Sequence, residues 1–216
     1  NNYYKNHMIK QAIIPLAGLG TRMLPLTSTM PKELLPINGR PNLEYIMEEC
    51  IEAGIKKFIF IISKKKYSIK KYFFNDKFYT QILKKKNDKR IVKEFNKLKR
   101  YQKMIKFVYQ NKPNGTGDAV LKCKKYIKSS HFLLLLPDDL IVKKNCTKEM
   151  IGLFKKNKSS VIATKIVKKN TVSRWGILSF KNKKKNFFKI SNIVEKPSIK
   201  KAPSNYAVIG RYILPY

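Results

Sequence analysis

The stretch IIPLAGLGTRMLPLTSTMPKELLPI, residues 13–37, places a glycine-rich turn directly after a short apolar run. The segment IKQAIIPLA, which begins at Ile9, predicts a buried strand, because β-branched apolar residues without a helical period end there at glycine and proline. Glycine lacks a Cβ atom and accepts a positive φ, so Gly18 and Gly20 allow backbone N–H groups to approach phosphate oxygens closely. The motif AGLGTR lacks the third glycine of GxGxxG and the GKS or GKT of a P-loop, so the turn alone is also compatible with a bend that binds no ligand.

Strands and helices alternate after this turn. From Pro41 the apolar residues recur at the helical spacing i, i+3, i+4, i+7, and Gly54 follows as a C-terminal cap. KKFIFIIS, residues 56–63, is the next predicted strand, and a strand–helix–strand unit requires parallel strands joined by a right-handed crossover. Further strands are predicted at 104–109, 131–137, 160–167, 175–180, 187–196 and 206–214, with helices between 67 and 101, from 115 to about 127 and at 148–157. We therefore predict an α/β protein with a Rossmann-like sheet.

Lysine dominates the charge of the chain, which has 216 residues and a formal net charge of +35. Such a charge suggests a polyanionic partner, such as nucleic acid or an anionic membrane. Only six of the 48 basic residues are arginines, however, and abundant Ile, Asn, Tyr and Phe accompany the lysines, as A/T-biased coding would produce. Basic runs such as SKKKYSIKKYF, residues 63–73, lie between or on the polar faces of candidate elements, where charge runs are solvated as a rule. We predict no nucleic-acid partner, and a basic nucleic-acid-binding module remains the alternative from a different functional class.

The length and the cysteines limit the organisation of the chain. We predict a poorly ordered tail at 1–7 followed by a single well-cored domain at 8–216. Cys50, Cys123 and Cys146 are odd in number and widely spaced without a CxxC motif, which indicates neither a disulfide framework nor a zinc site. We find no signal peptide, and the longest apolar run, 132–136, is far shorter than the roughly 20 residues that span a bilayer. We therefore expect a cytoplasmic protein without a membrane partner.

Two cations and an acid accompany the glycine-rich turn. Arg22 and Lys32 supply the positive charge that a phosphoryl-transfer transition state needs. The motif LPDD follows the predicted strand at 131–137, and open α/β sheets bind ligands beyond the carboxyl ends of their strands. Because Mg²⁺ takes one or two carboxylates plus substrate phosphates, Asp138 is the preferred candidate ligand, and Asp139 or a helix-capping role is the alternative. The residues thus predict magnesium-dependent chemistry at a nucleotide phosphate.

Motifs along the whole chain add a resemblance to a known family. They are AIIPLAGLGTRMLP, PKELLPI, ECIEAGI, GTGDAV, LLLPDD, WGIL, VEKP and SNYAVIGRYIL. From about Met8 to its last residue the chain resembles the bacterial UTP:glucose-1-phosphate uridylyltransferases, or UDP-glucose pyrophosphorylases, of the sugar-nucleotide nucleotidyltransferase superfamily. The resemblance implies a mixed, mainly parallel central sheet flanked by helices, of the nucleotide-diphospho-sugar transferase type. It also implies that glucose 1-phosphate attacks the α-phosphorus of UTP in line, with Mg²⁺ present, to form UDP-glucose and pyrophosphate.

The same resemblance implies roles for individual residues. The catalytic positions are Arg22 and Lys32, and the metal position is Asp138. The nucleotide-binding positions are Ala17, Gly18, Gly20, Thr21, Glu33, Gln110 and Gly115, of which the last two would contact the uracil edge. The positions that bind the sugar and its phosphate are Gly176, Glu195, Lys196 and Gly210. The chain departs from the family at Asp118, where histidine is usual, and at Trp175, where tyrosine is usual.

The resemblance also leaves alternative activities within the superfamily and implies a longer full-length protein. A thymidylyltransferase and an N-acetylglucosamine-1-phosphate uridylyltransferase share the glycine-rich turn and are the alternatives within the superfamily. Full-length relatives continue well beyond the position of Tyr216, so the resemblance implies that the domain at 8–216 lacks its C-terminal part. It also implies a homo-oligomer when the protein is full length.

Overall fold

The computed structural model describes residues 8–74, 81–83, 85, 88–112, 114–184 and 187–216. The tail predicted at 1–7 lies outside the described residues, as does part of the helical region predicted between 67 and 101. Ten strands are described: β1 (Gln11–Pro15), β2 (Pro36–Ile37), β3 (Arg40–Pro41), β4 (Lys57–Ile62), β5 (Ile105–Tyr109), β6 (His131–Leu135), β7 (Val161–Ile166), β8 (Gly176–Lys184), β9 (Phe187–Glu195) and β10 (Tyr206–Pro215). The α-helices are α1 (Asn42–Glu52), α2 (Tyr67–Phe73), α3 (Lys89–Gln102), α4 (Gly115–Lys122) and α5 (Cys146–Asn157).

One mixed sheet of eight strands organises the fold. Its order is β5-β4-β1-β6-β10-β8-β9, with β7 paired to β10. Strand β1 is parallel to β4 on one side and to β6 on the other, and β5 is parallel to β4. Strand β10 is antiparallel to β6 and also pairs with β7 and β8. The predicted α/β class with a Rossmann-like, mixed sheet is confirmed, and the four parallel strands end together at one edge, where such sheets bind ligands.

The apolar pattern of the strands explains why helices cover both faces of this sheet. Along β1, Ala12 and Ile14 belong to one core cluster, while Ile13 faces the other, because successive side chains of a strand point to opposite faces. Helices α1, α2, α3 and α5 contribute buried side chains to the first cluster, and α4 contributes Ala119 to the second. Burial of both faces accounts for the nearly continuous apolar character of these strands.

The first strand–helix–strand unit forms as the sequence predicts. The apolar stripe of α1 is fully buried at Leu43, Ile46, Met47 and Cys50. Gly54, just beyond the helix, has φ of 93°, a left-handed conformation that favours glycine. Among the described residues, no helix is both long enough and apolar enough to cross a bilayer.

Candidate active site

A cavity of about 660 Å³ lies beyond the carboxyl ends of β1 and β6. Residues Gly20–Met23 form one part of its wall. The PKE motif contributes Lys32 and Glu33, and the loop after β6 contributes Pro137 and Asp138. The cavity therefore joins segments that are about 100 residues apart in the sequence.

The glycine-rich turn has the backbone geometry that its sequence predicts. Gly20 lies in the left-handed region with φ of 72° and precedes a 3-10 turn at Thr21–Met23. Thr27 donates its hydroxyl to the Gly20 carbonyl at 2.9 Å, and its Cγ2 would lie 3.1 Å from a Cβ added at Gly20. A Cβ added at Gly18 would meet nothing within 4 Å. Thr27 thus fixes the turn at Gly20, and the space beside Gly18 is empty of protein atoms. Ala17 is buried.

Arg22, Lys32 and Asp138 meet in the cavity. The Lys32 ammonium donates a hydrogen bond to Oδ1 of Asp138. The Arg22 guanidinium lies 3.9 Å from Oδ2 of Asp138, and 90% of the arginine side chain is exposed. The structure thus brings together the two cations and the acid that the sequence predicts as site residues, and the exposed side chain of Arg22 can move toward a ligand.

Glu33 lies in the same cavity wall, but its carboxylate binds a buried side chain. It is only 1% exposed, and both of its carboxylate oxygens accept from Nζ of Lys66, at 2.8 and 2.7 Å. Burial lowers the pKa of Lys66 below its ordinary value, and the Lys32 charge acts in the same direction, whereas Glu33 opposes both. The nucleotide contact expected of Glu33 stays a prediction, because its carboxylate is used to bind Lys66.

Lys66 corrects the expectation that the basic run at 63–73 is solvated. Lys66 is 6% exposed, whereas its neighbours Lys64 and Lys65 are exposed. The reason is geometric: Lys66 ends a 3-10 turn at Lys64–Lys66 that directs one of three consecutive lysines toward Glu33. No local signal in the sequence distinguishes this lysine from the other two.

Asp139 is held by the antiparallel part of the sheet. Its Oδ2 accepts from the Gly210 amide at 3.1 Å, and its carbonyl accepts from Nη2 of Arg211 at 2.7 Å. Arg211 is fully buried and also donates to the Leu136 carbonyl and to the carboxylate of Glu49. These bonds fix the loop that carries Asp138, so of the two adjacent acids only Asp138 faces the cavity with a carboxylate that is not bound to the backbone.

The predicted base contacts lie together at the end of β5. Gln110 is 5% exposed, and its Nε2 donates to the Gly115 carbonyl at 3.1 Å and to Oδ2 of Asp118 at 2.7 Å. The hydrogen bond from Gln110 lowers the pKa of Asp118, and Lys122 adds to this effect from 3.4 Å. Gln110 and Gly115 do not line the cavity at Asp138, because β4 and β1 separate β5 from β6.

Three of the predicted sugar-phosphate positions meet where β8 and β9 pair. Gly176 is directly opposite Glu195, whose Oε2 would lie 3.2 Å from a Cβ added at the glycine. Lys196 has φ of 45° and donates its amide to the Trp175 carbonyl at 3.0 Å. The Lys196 ammonium lies 3.8 Å from the Glu195 carboxylate, and both side chains are mostly exposed. These two charged groups are therefore accessible to a ligand.

Gly210, the fourth of these positions, has a packing role in the structure. A Cβ added there would lie 2.6 Å from Cβ of Leu136, and the Gly210 carbonyl accepts from the Leu136 amide at 2.8 Å. Its own amide donates to Asp139. Both backbone polar groups are thus engaged, and its expected contact with the sugar stays a prediction.

Replacing Gly210 by alanine is expected to destabilise the protein by about 1–3 kcal/mol, because the new methyl overlaps Leu136 beside the antiparallel pairing of β10 with β6. The midpoint of urea unfolding measures the change. Gly152→Ala is the matched control, since a Cβ at this exposed position in α5 meets nothing within 4 Å and alanine favours the helix. A Gly210→Ala variant as stable as Gly152→Ala would contradict the packing role.

The residues present are compatible with a magnesium ion held largely by phosphates. Among the residues that the structure describes, no three His, Cys, Asp or Glu side chains form a metal-binding group. Asp138 provides one carboxylate in the cavity, and Asn42, in the same wall, has a buried Oδ1 without a hydrogen-bond donor. Mg²⁺ is suited to such a site, because it keeps several waters and binds one or two carboxylates plus substrate phosphates.

Comparison with known proteins decides the family. The nucleotidyl transferase family matches residues 11–216. The chain belongs to this family. UTP–glucose-1-phosphate uridylyltransferase 1 of Staphylococcus saprophyticus is 36% identical to this nucleotidyl transferase over 207 residues, which are 95% of this chain and 72% of the relative. The resemblance stated from the sequence motifs is thereby confirmed.

Solved structures agree with this assignment to the nucleotidyl transferase family. A UTP-bound UGPase from Acinetobacter baumannii has a TM-score of 0.89 and 34% sequence identity, covering 96% of this chain and 75% of its own. A UDP-glucose pyrophosphorylase complexed with UDP-glucose has a TM-score of 0.83 at the same identity, covering 96% and 76%. The nucleotide-diphospho-sugar transferase type of the sheet is therefore confirmed as well.

Proposed function

We propose that this protein is a UTP:glucose-1-phosphate uridylyltransferase, which forms UDP-glucose and pyrophosphate from UTP and glucose 1-phosphate. The observation that carries the proposal is the convergence of Arg22, Lys32 and Asp138 on one cavity beside the Gly20 turn. A cavity with two cations, the Asp138 carboxylate and a glycine turn suits a triphosphate, whose charge needs both backbone N–H groups and cationic side chains.

Binding of a triphosphate would replace the ion pair between Lys32 and Asp138. In the structure Lys32 neutralises Asp138. When a triphosphate binds, the ammonium of Lys32 would move to the phosphate oxygens, and the carboxylate of Asp138 would become available to hold Mg²⁺. The bound ion would neutralise part of the charge on the phosphates. Arg22, which is 90% exposed, would close on the same phosphates from the solvent side.

The chain's own residues would then act by positioning and by electrostatic stabilisation. The phosphate oxygen of glucose 1-phosphate attacks the α-phosphorus of UTP and forms the new P–O bond, while the bond to pyrophosphate breaks. Lys32 and Arg22 would offset the negative charge that shifts to the leaving pyrophosphate. Correct alignment of two bound substrates can lower a barrier by about 7–11 kcal/mol, so no covalent enzyme intermediate is required.

The predicted base contacts and the predicted sugar-phosphate positions would bind the uracil of UTP and the glucose 1-phosphate. Gln110 and Gly115 would contact the uracil, and Glu195 would accept hydrogen bonds from glucose hydroxyls. Lys196 would bind the phosphate of the sugar, for which its exposed ammonium is available. Gly176 would let the sugar approach Glu195, since a larger side chain would occupy the space beside that carboxylate.

The compartment, the oligomeric state and the partners of the enzyme are also part of the proposal. We propose a cytoplasmic enzyme that uses Mg²⁺, forms a homo-oligomer when full length, and binds neither nucleic acid nor membranes. Cys50, Cys123 and Cys146 are free thiols in the structure, and burial raises the pKa of Cys123 to about 12. Such protonated, unpaired thiols suit a reducing compartment.

Pyrophosphate release tests the proposal directly. We expect the natural full-length protein to release pyrophosphate fastest with UTP and glucose 1-phosphate, when nucleoside triphosphates and sugar 1-phosphates are compared in the presence of Mg²⁺. Preference for dTTP would indicate a thymidylyltransferase, and preference for N-acetylglucosamine 1-phosphate would indicate the other related enzyme. Absence of turnover together with tight duplex binding that weakens steeply with salt would indicate a nucleic-acid-binding module.

A further inference from the structure

The side-chain amide of Gln110 is held in one orientation. Its Nε2 donates to two acceptors, the Asp118 carboxylate and the Gly115 carbonyl. A rotation of the amide by 180° would place Oε1 against these same two oxygens, and neither of them carries a proton to donate. The orientation with the amide nitrogen toward α4 is therefore favoured strongly over its alternative.

Asp118 is itself fixed, so it acts as a permanent acceptor. Its Oδ1 lies 3.4 Å from the ammonium of Lys122, one helical turn further along α4. It is the acidic residue in the first turn of this helix, where the helix dipole favours negative charge. Its lowered pKa keeps the carboxylate ionised at neutral pH, and an ionised carboxylate can only accept a hydrogen bond.

The opposite end of the Gln110 amide is the end available to a ligand. Among the residues that the structure describes, no donor is bound to Oε1 of Gln110. Gln110 continues the ladder of β5, because its amide donates to the Ile62 carbonyl at 2.9 Å. Its side chain therefore stands at the edge of the sheet that carries the cavity.

The spacing of the strands places this amide at the far end of a bound nucleotide. Gln110 follows β5 and Asp138 follows β6, and the order β5-β4-β1-β6 separates these strands by three intervals. Neighbouring strands are about 4.8 Å apart, so the two strand ends are roughly 14 Å apart. A nucleoside triphosphate whose phosphates lie at Gly20–Arg22 would extend along this edge toward Gln110.

We propose that Asp118 is a positioning residue for base selection: by holding Nε2 of Gln110, it presents the amide oxygen to the N3–H of a uracil. The inference rests on the proposed function, because it assumes that Gln110 faces the base. Uracil carries a proton on N3 and can donate to this oxygen. Cytosine has an unprotonated acceptor at N3, so two acceptors would face each other and CTP would be rejected.

Asp118→Asn tests the proposal, because a carboxamide can accept from Nε2 of Gln110 or donate to its Oε1. The cost of rotating the Gln110 amide would then fall, because only the Gly115 carbonyl would still oppose Oε1, and the rotated amide would present its nitrogen to cytosine. We expect the preference for UTP over CTP, as the ratio of kcat/KM values for pyrophosphate release, to fall by about 10- to 100-fold. Asp118→Glu keeps an acceptor that cannot donate and should retain most of the preference.

Two controls separate base selection from a structural role of Asp118. Glu149→Gln removes the corresponding acid from the first turn of α5 and should leave the preference unchanged. In a Gln110→Ala background, Asp118→Asn should have no further effect on the UTP/CTP ratio, because Asp118 acts through Gln110. If Asp118→Asn lowered the rates with UTP and CTP equally, or left both unchanged, the proposal would be overturned.

Nucleotide binding distinguishes failure of this inference from failure of the proposed function. Equilibrium dialysis of UTP and CTP against the natural full-length protein needs no turnover. Tighter binding of UTP that is lost in Asp118→Asn would support the positioning role even in a protein that releases no pyrophosphate. Equal binding of both nucleotides by the unaltered protein would overturn it, whichever sugar phosphate the enzyme uses.

Discussion

Asp138→Asn is expected to lower the kcat for pyrophosphate release by about 10²- to 10³-fold, the cost of removing one strong electrostatic contact from a transition state. Asp138 provides the carboxylate in the cavity that is not bound to a buried partner, since Glu33 is held by Lys66. The change removes one negative charge and keeps the shape of the side chain. Asp138 is 47% exposed at its side chain, so the free energy of unfolding should change by less than about 0.5 kcal/mol.

Three measurements make this prediction specific for the site. Steady-state rates at several Mg²⁺ concentrations should show that the variant no longer responds to the ion as the unaltered protein does. Glu149→Gln, which removes an exposed acid from α5, should keep the unaltered rate. Lys32→Ala should also slow the chemical step, because it removes one of the two cations that would offset the negative charge on the leaving pyrophosphate. A rate near that of the unaltered protein for Asp138→Asn would refute its assignment to the metal.

Arg211→Met is expected to destabilise the protein by about 3–5 kcal/mol, because it leaves the carboxylate of Glu49 buried without its countercharge. Arg211 is fully buried, and Glu49 is 8% exposed. The guanidinium donates to both carboxylate oxygens of Glu49 and to the carbonyls of Leu136, Asp139 and Gly210. One substitution therefore affects α1, the loop after β6 and β10 at once. Urea unfolding at neutral pH measures the loss.

A double substitution separates the buried charge from the lost packing. Glu49→Met in the Arg211→Met background removes the unpaired charge and should recover a large part of the stability, since apolar replacements of buried ion pairs are often tolerated. The recovery should be incomplete, because the loop carbonyls and the Thr147 hydroxyl, which donates to Glu49, lose partners. Arg174→Met, at an exposed position, should change stability by less than about 0.5 kcal/mol. A loss below about 1 kcal/mol for Arg211→Met would contradict the prediction.

Local patterns were sufficient to predict most elements of the fold. The helical period from Leu43 to Cys50 and the apolar strand at 56–63 depend only on neighbouring residues, and both are found. The antiparallel part of the sheet was predicted as strands without partners or order. Strand β10 pairs with β6, β7 and β8, and its register against β7 shifts between Val208 and Tyr212. Local periodicity contains no information on such pairing.

The sequence predicts part of the site. The residues that it does not predict are held in place by long-range contacts. Residue type and position at strand ends predict Gly20, Arg22, Lys32 and Asp138 as site residues, and the four share one cavity. Lys66 was not selected, because nothing in a run of lysines marks the one that is buried. Arg211 and Glu49 were missed as well, since they are 162 residues apart and only the sheet order brings them together. The single domain expected at 8–216 stays a prediction.

Local periodicity and short motifs are sufficient to predict the α/β class, the glycine turn after β1 and the membership of the nucleotidyl transferase family. Long-range contacts determine which of two adjacent acids faces the cavity: Asp139 is bound by Gly210 and Arg211 from β10, and Asp138 is left to the ligand side. Such contacts also determine the orientation of the Gln110 amide. The physical reason is the same in both cases, since a side chain's role is set by the partners that satisfy its polar atoms, and those partners come from other strands and helices.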